Sequence, residues 1–195
     1  MLENIKSKYI VKLILNNINE KRKLIIVKYN KNIKLKCDIE LFDYMAYSGK
    51  YIKYISESKV EEYDFEDNLL FKGEYKNGKR NGIGKEYNIY KELSFEGEYL
   101  NGKRNGKGKE YYNNGELSFE GEYLNGKKNG KGKEYYENGN IKFEGEYLNG
   151  KRNGKGKKYY ENGNIKFEGE YLNGENWNGK LYDPEFINIY EIKNG

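Results

Sequence analysis

The chain has 195 residues with 36% hydrophobic content, and that hydrophobic share is too small for a thick globular core. It has no histidine and a single cysteine, Cys37, which excludes an internal disulfide, a Cys/His zinc set and any Ser-His-Asp or Cys-His catalytic constellation. Its formal charge of +5 is uneven: residues 1–60 carry net +7 and residues 61–195 net −2, so no basic stripe for nucleic acid runs along the C-terminal two-thirds.

The first segment, residues 1–57, has its own composition. Ile5, Tyr9, Ile10, Leu13, Ile14 and Ile18 recur at helical spacing and predict an amphipathic helix. Leu24 to Tyr29 is short, apolar and β-branched, which fits a buried helix or a strand. A second helix is expected over Asp38 to Tyr47, stopped by Ser48 and Gly49. Alternation then begins at Tyr51 to Ile55, where the sheet should start. No apolar run reaches the roughly 18 residues of a membrane span, and charges interrupt the N-terminal apolar stretch, unlike a signal peptide. The expected location is cytoplasmic, with a membrane periphery as the alternative.

From residue 58 the chain is repetitive. Phe71, Phe95, Phe119, Phe143 and Phe167 stand 24 residues apart, and Gly-Glu-Tyr follows each in the same register. Full units therefore start at 71, 95, 119, 143 and 167. VEEYDFEDNLL before them reads as half of a degenerate earlier unit, and IYEIKNG after them reads as the opening of a sixth.

Within a unit the period is two. Phe143, Gly145 and Tyr147 alternate with Glu144 and Glu146, and a second strand follows over KGKKYY. Two of the Asn-Gly pairs in such a unit predict a tight hairpin and then a turn into the next. Charge sets the expected register: Tyr147 opposite Gly156 puts Phe143, Gly145, Tyr147 and Tyr160 on one face. Glu144, Glu146, Lys155 and Lys157 then share the other, with Glu146 facing Lys157.

Gly-Glu-Tyr, Asn-Gly-Lys, Gly-Lys-Gly, an aromatic pair and Asn-Gly in this order resemble the MORN repeat, and the 24-residue spacing with YYENGNIKFEGEY is similar to its bacterial antitoxin-like variant. Asn81, Asn105, Asn129 and Asn153 stand where that repeat usually has histidine. The resemblance implies a mainly β fold, an elongated single sheet of successive hairpins with an aromatic-lined groove, and a role as scaffold, membrane-associated tether or dimerisation module. Ile14, Ile18, Leu24 and Val27 resemble an F-box without its early proline; the other reading of residues 1–57 is a helical head that caps the first edge strand.

Catalysis is not expected. Glu144 and Glu146 could act as acid and base, but paired carboxylates recur from unit to unit beside lysines, as charge ladders do. The Gly-Lys-Gly steps open no helix and are no phosphate loop. Neither cofactor nor metal is expected. The expected binding surface is aromatic: the rows Tyr75, Tyr99, Tyr123, Tyr147, Tyr171 and Tyr112, Tyr136, Tyr160, with Trp177. The tyrosines either form the thin core or line a groove for a peptide or partner helix.

The chain thus reads as a non-enzymatic scaffold for protein–protein interaction or self-association. The alternatives are anionic-lipid binding through the basic residues 1–57, and an antitoxin-like binding protein. In NGENWNGKLYD the last unit gains one residue between its glycines, and Pro184 follows. The strand after it is expected to offer an open edge, most simply to a second copy.

Overall fold

The computed structural model describes residues 50–64, 66–185 and 188–195. The expected N-terminal helices, the F-box likeness and Cys37 lie outside them. The described strands begin with β1 (Lys50–Tyr54), β2 (Lys59–Asp64), β3 (Leu69–Lys76), β4 (Lys79–Tyr87), β5 (Leu93–Leu100), β6 (Lys103–Tyr111) and β7 (Leu117–Leu124). They continue with β8 (Lys127–Tyr135), β9 (Ile141–Leu148), β10 (Lys151–Tyr159), β11 (Ile165–Leu172), β12 (Glu175–Tyr182) and β13 (Ile189–Ile192). All thirteen belong to one open sheet in chain order, as tandem hairpins require. Within the described residues the sheet therefore starts at β1, where alternation begins.

Two units divide the chain. In the first, Met1–Ile52 with Glu62–Asn68, the Tyr51 ring stacks on Tyr63 at 5.3 Å and the Tyr51 hydroxyl donates to Asp67. The second, Lys53–Glu61 with Leu69–Gly195, holds the repeats.

Each repeat is a hairpin closed by two residues of positive φ, as at Asn149 (52°) and Gly150 (89°), the geometry that matches strand twist. The link between hairpins is looser: the Tyr160 N–H donates to the Asn164 carbonyl at 2.8 Å, and Gly163 takes positive φ. Lys91 holds that same place in the first link, at φ 66°. In the three units that start at 95, 119 and 143 both reversals fall at Asn-Gly pairs of the sequence.

The register departs from the expected one by two residues. Gly145 lies opposite Gly156 and Glu144 opposite Lys157, so Glu146 does not face Lys157. A bulge between Arg152 and Gly156 takes up the difference. Gly154 turns there to φ 94°, and the Glu146 carboxylate accepts from the Lys155 N–H at 3.4 Å. A shift of two keeps every side chain on its face, which is why the division into an aromatic and a charged face holds.

The core is one row deep. Phe71, Phe95, Phe119, Phe143 and Phe167 are at most 1% exposed, with Tyr99, Tyr123, Tyr147 and Tyr171 between them. Each phenyl covers the paired glycines of its own hairpin: a Cβ on Gly156 would lie 2.7 Å from the Phe143 ring. Neighbouring rings meet edge to face, Phe119 with Tyr123 at 5.7 Å and with Tyr147 at 5.5 Å, each contact adding about 0.5–1.5 kcal/mol beyond burial. Because each phenyl from Phe71 to Phe143 touches the tyrosine of its own unit and of the next, the repeats cannot pack independently.

Candidate functional site

On the aromatic face a cation lies over each of four phenyls: Arg80 over Phe71 at 4.2 Å, Arg104 over Phe95 at 3.9 Å, Lys128 over Phe119 at 3.8 Å and Arg152 over Phe143 at 4.4 Å. Glutamates bind these cations to one another. Glu86 joins Arg80 (2.6 Å) to Arg104 (2.5 Å), and Glu110 joins Arg104 to Lys128, both at 2.9 Å. Glu134 accepts from Arg152 at 2.5 and 3.2 Å and from the Tyr147 hydroxyl at 2.6 Å. Burial raises the pKa of Glu134, but the bonds from Arg152 and Tyr147 outweigh it and hold the carboxyl below the usual range.

These lids decide the fate of the tyrosine rows. Tyr99, Tyr123, Tyr147 and Tyr171 are 3–5% exposed and Tyr75 is half-buried, so the first row is core packing and no open aromatic groove lies along it. Tyr112, Tyr136 and Tyr160 are half-buried and tie repeat to repeat: their hydroxyls donate to the carbonyls of Tyr135 (2.6 Å), Tyr159 (2.8 Å) and Tyr182 (2.9 Å). Trp177 is also half-buried. Gly179 is the counterpart of Gly156 in pairing with β11 and of Gly154 in pairing with β13, so one glycine stands where other units have two. The last hairpin is therefore one residue shorter up to its cross-strand glycine. The expected gain of a residue reverses when the strands are paired. β13 pairs with β12, and its Ile189 and Tyr190 are exposed.

The open surface is the opposite, charged face. A groove of about 1010 Å³ crosses the strands from β4 to β11, floored by backbone at the paired glycines. Along one wall lysine and glutamate alternate strand by strand, as in Lys85, Glu96, Lys109, Glu120, Lys133 and Glu144. Ion pairs hold this wall upright, Lys85 to Glu96 and Lys157 to Glu168 at 3.0 Å. The Tyr111 and Tyr159 hydroxyls donate to Glu96 and Glu144 at 2.7 Å, and these bonds come first among the causes that lower both carboxyl pKa values. The other wall repeats the alternation through Glu98, Lys107, Glu122 and Lys131. Leu100, Leu124, Leu148 and Leu172 stand in register at the hairpin ends, 41–51% exposed. The leucine row escaped the sequence reading, although Leu-Asn-Gly at every 24th residue was its signal.

Asparagine does local work in place of the usual histidine. Asn105 Oδ1 accepts from the Asn125 N–H at 3.3 Å, and Asn153 does the same for Asn173, so each caps the following hairpin turn. Among the described residues no His/Cys/Asp/Glu cluster could hold a metal ion, and no helix is long and apolar enough to cross a membrane.

The sequence model of the MORN repeat matches residues 71–88, 95–116, 119–141 and 143–165. The chain carries four tandem MORN repeats. The four matches begin at Phe71, Phe95, Phe119 and Phe143, and the unit of β11 and β12, starting at Phe167, continues the array beyond them. No curated protein matches the chain. Among solved structures, the crystal structure of TarM is 12% identical, covering 85% of this chain and 27% of its own, with a TM-score of 0.35. An S. aureus TarM mutant in complex with Fondaparinux, alpha-GlcNAc-glycerol and UDP is 8% identical, covering 83% and 32%, with a TM-score of 0.32. The chain thus spans about a third or less of those proteins, and at such TM-scores the MORN array takes nothing further from the likeness.

Proposed function

We propose that this MORN array is a non-enzymatic scaffold that binds a protein chain along its charged face. The leucine row carries the reading. Four half-exposed leucines repeat every second strand, about 10 Å apart, beside a groove whose charges cancel along its length. A neutral wall of alternating Lys and Glu attracts neither polyanion nor polycation in bulk, whereas apolar side chains standing clear of the sheet gain by being covered. Between the two walls the floor is backbone, because positions at the level of the paired glycines point to the aromatic face, so an extended segment or a helix could lie across the strands.

The test uses the full chain and the variant Leu124→Lys/Leu148→Lys. These leucines are outside the core, so the circular dichroism of the variant should match that of the parent. In affinity capture from a native extract, the proteins held by the parent should be lost from the variant. Identical capture by both proteins refutes this use of the face.

A further inference from the structure

One position breaks the periodicity of the aromatic face. Units beginning at 71, 95 and 119 place Glu86, Glu110 and Glu134 in the lid ladder, and the next places Lys158. Its strand partners are Phe143 on one side and Phe167 on the other. The charges around its ammonium are those of Lys166, Arg152 and Lys142, with Glu134 the carboxylate among them. Glu134 is itself occupied by Arg152 and the Tyr147 hydroxyl.

The tyrosine of the next unit registers the change. Tyr147 donates to Glu134, while the Tyr99 and Tyr123 hydroxyls lie beside Glu86 and Glu110, outside hydrogen-bond geometry. Tyr171 is 3% exposed, and its hydroxyl has no hydrogen-bond partner; the residue in the corresponding place is Lys158. The lid changes as well, since Asn176 lies opposite Tyr171 where Arg152 lies opposite Tyr147. Tyr171, Asn176 and Lys158 thus hold, one unit on, the positions of Tyr147, Arg152 and Glu134, while Arg152 and Glu134 are the charges that act on the Tyr171 hydroxyl.

We propose that this end of the aromatic face is a carboxylate-binding site, filled by an acidic side chain of a protein partner, with Lys158 as the charged anchor and Tyr171 and Asn176 as neutral donors. The proposal rests on the reading of the array as an interaction scaffold. Carboxylate is the favoured anion because the fold itself seats one in the equivalent place in the preceding units. Trp177, next to Asn176 and half-buried, is the chain's single tryptophan and a built-in reporter.

The experiment titrates a fluorescein-labelled peptide of ten glutamates into the full chain at physiological salt, following anisotropy and Trp177 fluorescence. Lys158→Glu should weaken binding by about tenfold or more and abolish the tryptophan response, because it supplies the missing carboxylate internally. The same variant should melt no lower than the parent, and Lys158→Gln should weaken binding as well. Lys103→Glu, an equal charge change at an exposed turn, should leave the affinity within about twofold. Equal loss from Lys158→Glu and Lys103→Glu, or no binding by the parent, overturns the site. Lys158-dependent binding to phosphatidylserine vesicles in place of the peptide overturns the carboxylate assignment in favour of a membrane. The leucine variant fails or succeeds independently, so the scaffold reading and this site are judged apart.

Discussion

The seating of each phenyl on its glycine pair is open to a direct test at Gly132. A Cβ there would lie 2.6 and 2.7 Å from two atoms of the Phe119 ring and 3.2 Å from Tyr147. The ring would have to withdraw by close to an ångström to reach ordinary contact. It has nowhere to go, held edge to face by Tyr123 and Tyr147 with the Lys128 ammonium 3.8 Å above it. Overpacking of this kind costs about 1–3 kcal/mol, and the upper part of that range applies where every neighbour is fixed. Replacing glycine by alanine also restricts the unfolded chain, returning about 0.4–1 kcal/mol. Gly132→Ala should therefore destabilise by about 2 kcal/mol. With a urea slope of about 2 kcal/mol/M, the midpoint followed by circular dichroism falls by about 1 M.

The same reasoning makes the cost depend on the ring. Phe119→Leu removes the atoms that clash, so the double variant should cost at least about 0.5 kcal/mol less than the sum of the two single ones. Additivity of the two substitutions would refute the seating, whatever the size of the single effects.

The tyrosines predict an alkaline transition. Burial, followed by hydrogen bonding to Glu96, pushes Tyr111 up to about 12, and the same causes, with Glu144, push Tyr159 up to about 12. Such groups keep their protons in the folded chain while the unfolded chain ionises near 10, so the stability they contribute is complete below pH 10 and is lost as pH rises toward 12. Absorbance at tyrosinate wavelengths should show a delayed class of phenols whose ionisation coincides with loss of sheet signal; a single titration near 10 with the sheet intact contradicts this. Lys91 occupies positive φ where Gly115, Gly139 and Gly163 stand in later links. Lys91→Gly should therefore raise stability by about 1 kcal/mol in the same urea assay, and a fall would show that its side chain holds the turn.

Much of the fold was legible because the repeat states each feature five times over. The 24-residue interval of phenylalanine, the alternation and the Asn-Gly pairs determine hairpin, turn and face. The register was legible only to within two residues, because the bulge at Asn153 to Lys155 is created by Glu146 reaching across to a backbone N–H, and that contact leaves no mark in a hydrophobic pattern. Whether the tyrosines form the core or line a groove was left open by the sequence for a related reason. Arg104 and Arg152 look like turn cations in sequence, yet their guanidinium groups fold over the rings because glutamates from successive hairpins hold them there.

The periodicity that makes the fold legible also makes a departure from it informative. In an array where each unit is restrained by the next, a substitution in one column has to be compensated by the neighbouring column or left uncompensated. Where the first link loses its turn glycine, Lys91 accepts the strained backbone and the hairpins on either side are unchanged. Where the cation column ends at Asn176 and the glutamate column ends at Lys158, the two changes do not cancel: the lid loses one positive charge and the glutamate position gains two. That exchange leaves a net gain of one positive charge and the Tyr171 hydroxyl without an acceptor. The positive charge that Lys158 adds without a carboxylate of its own is what an external carboxylate would explain.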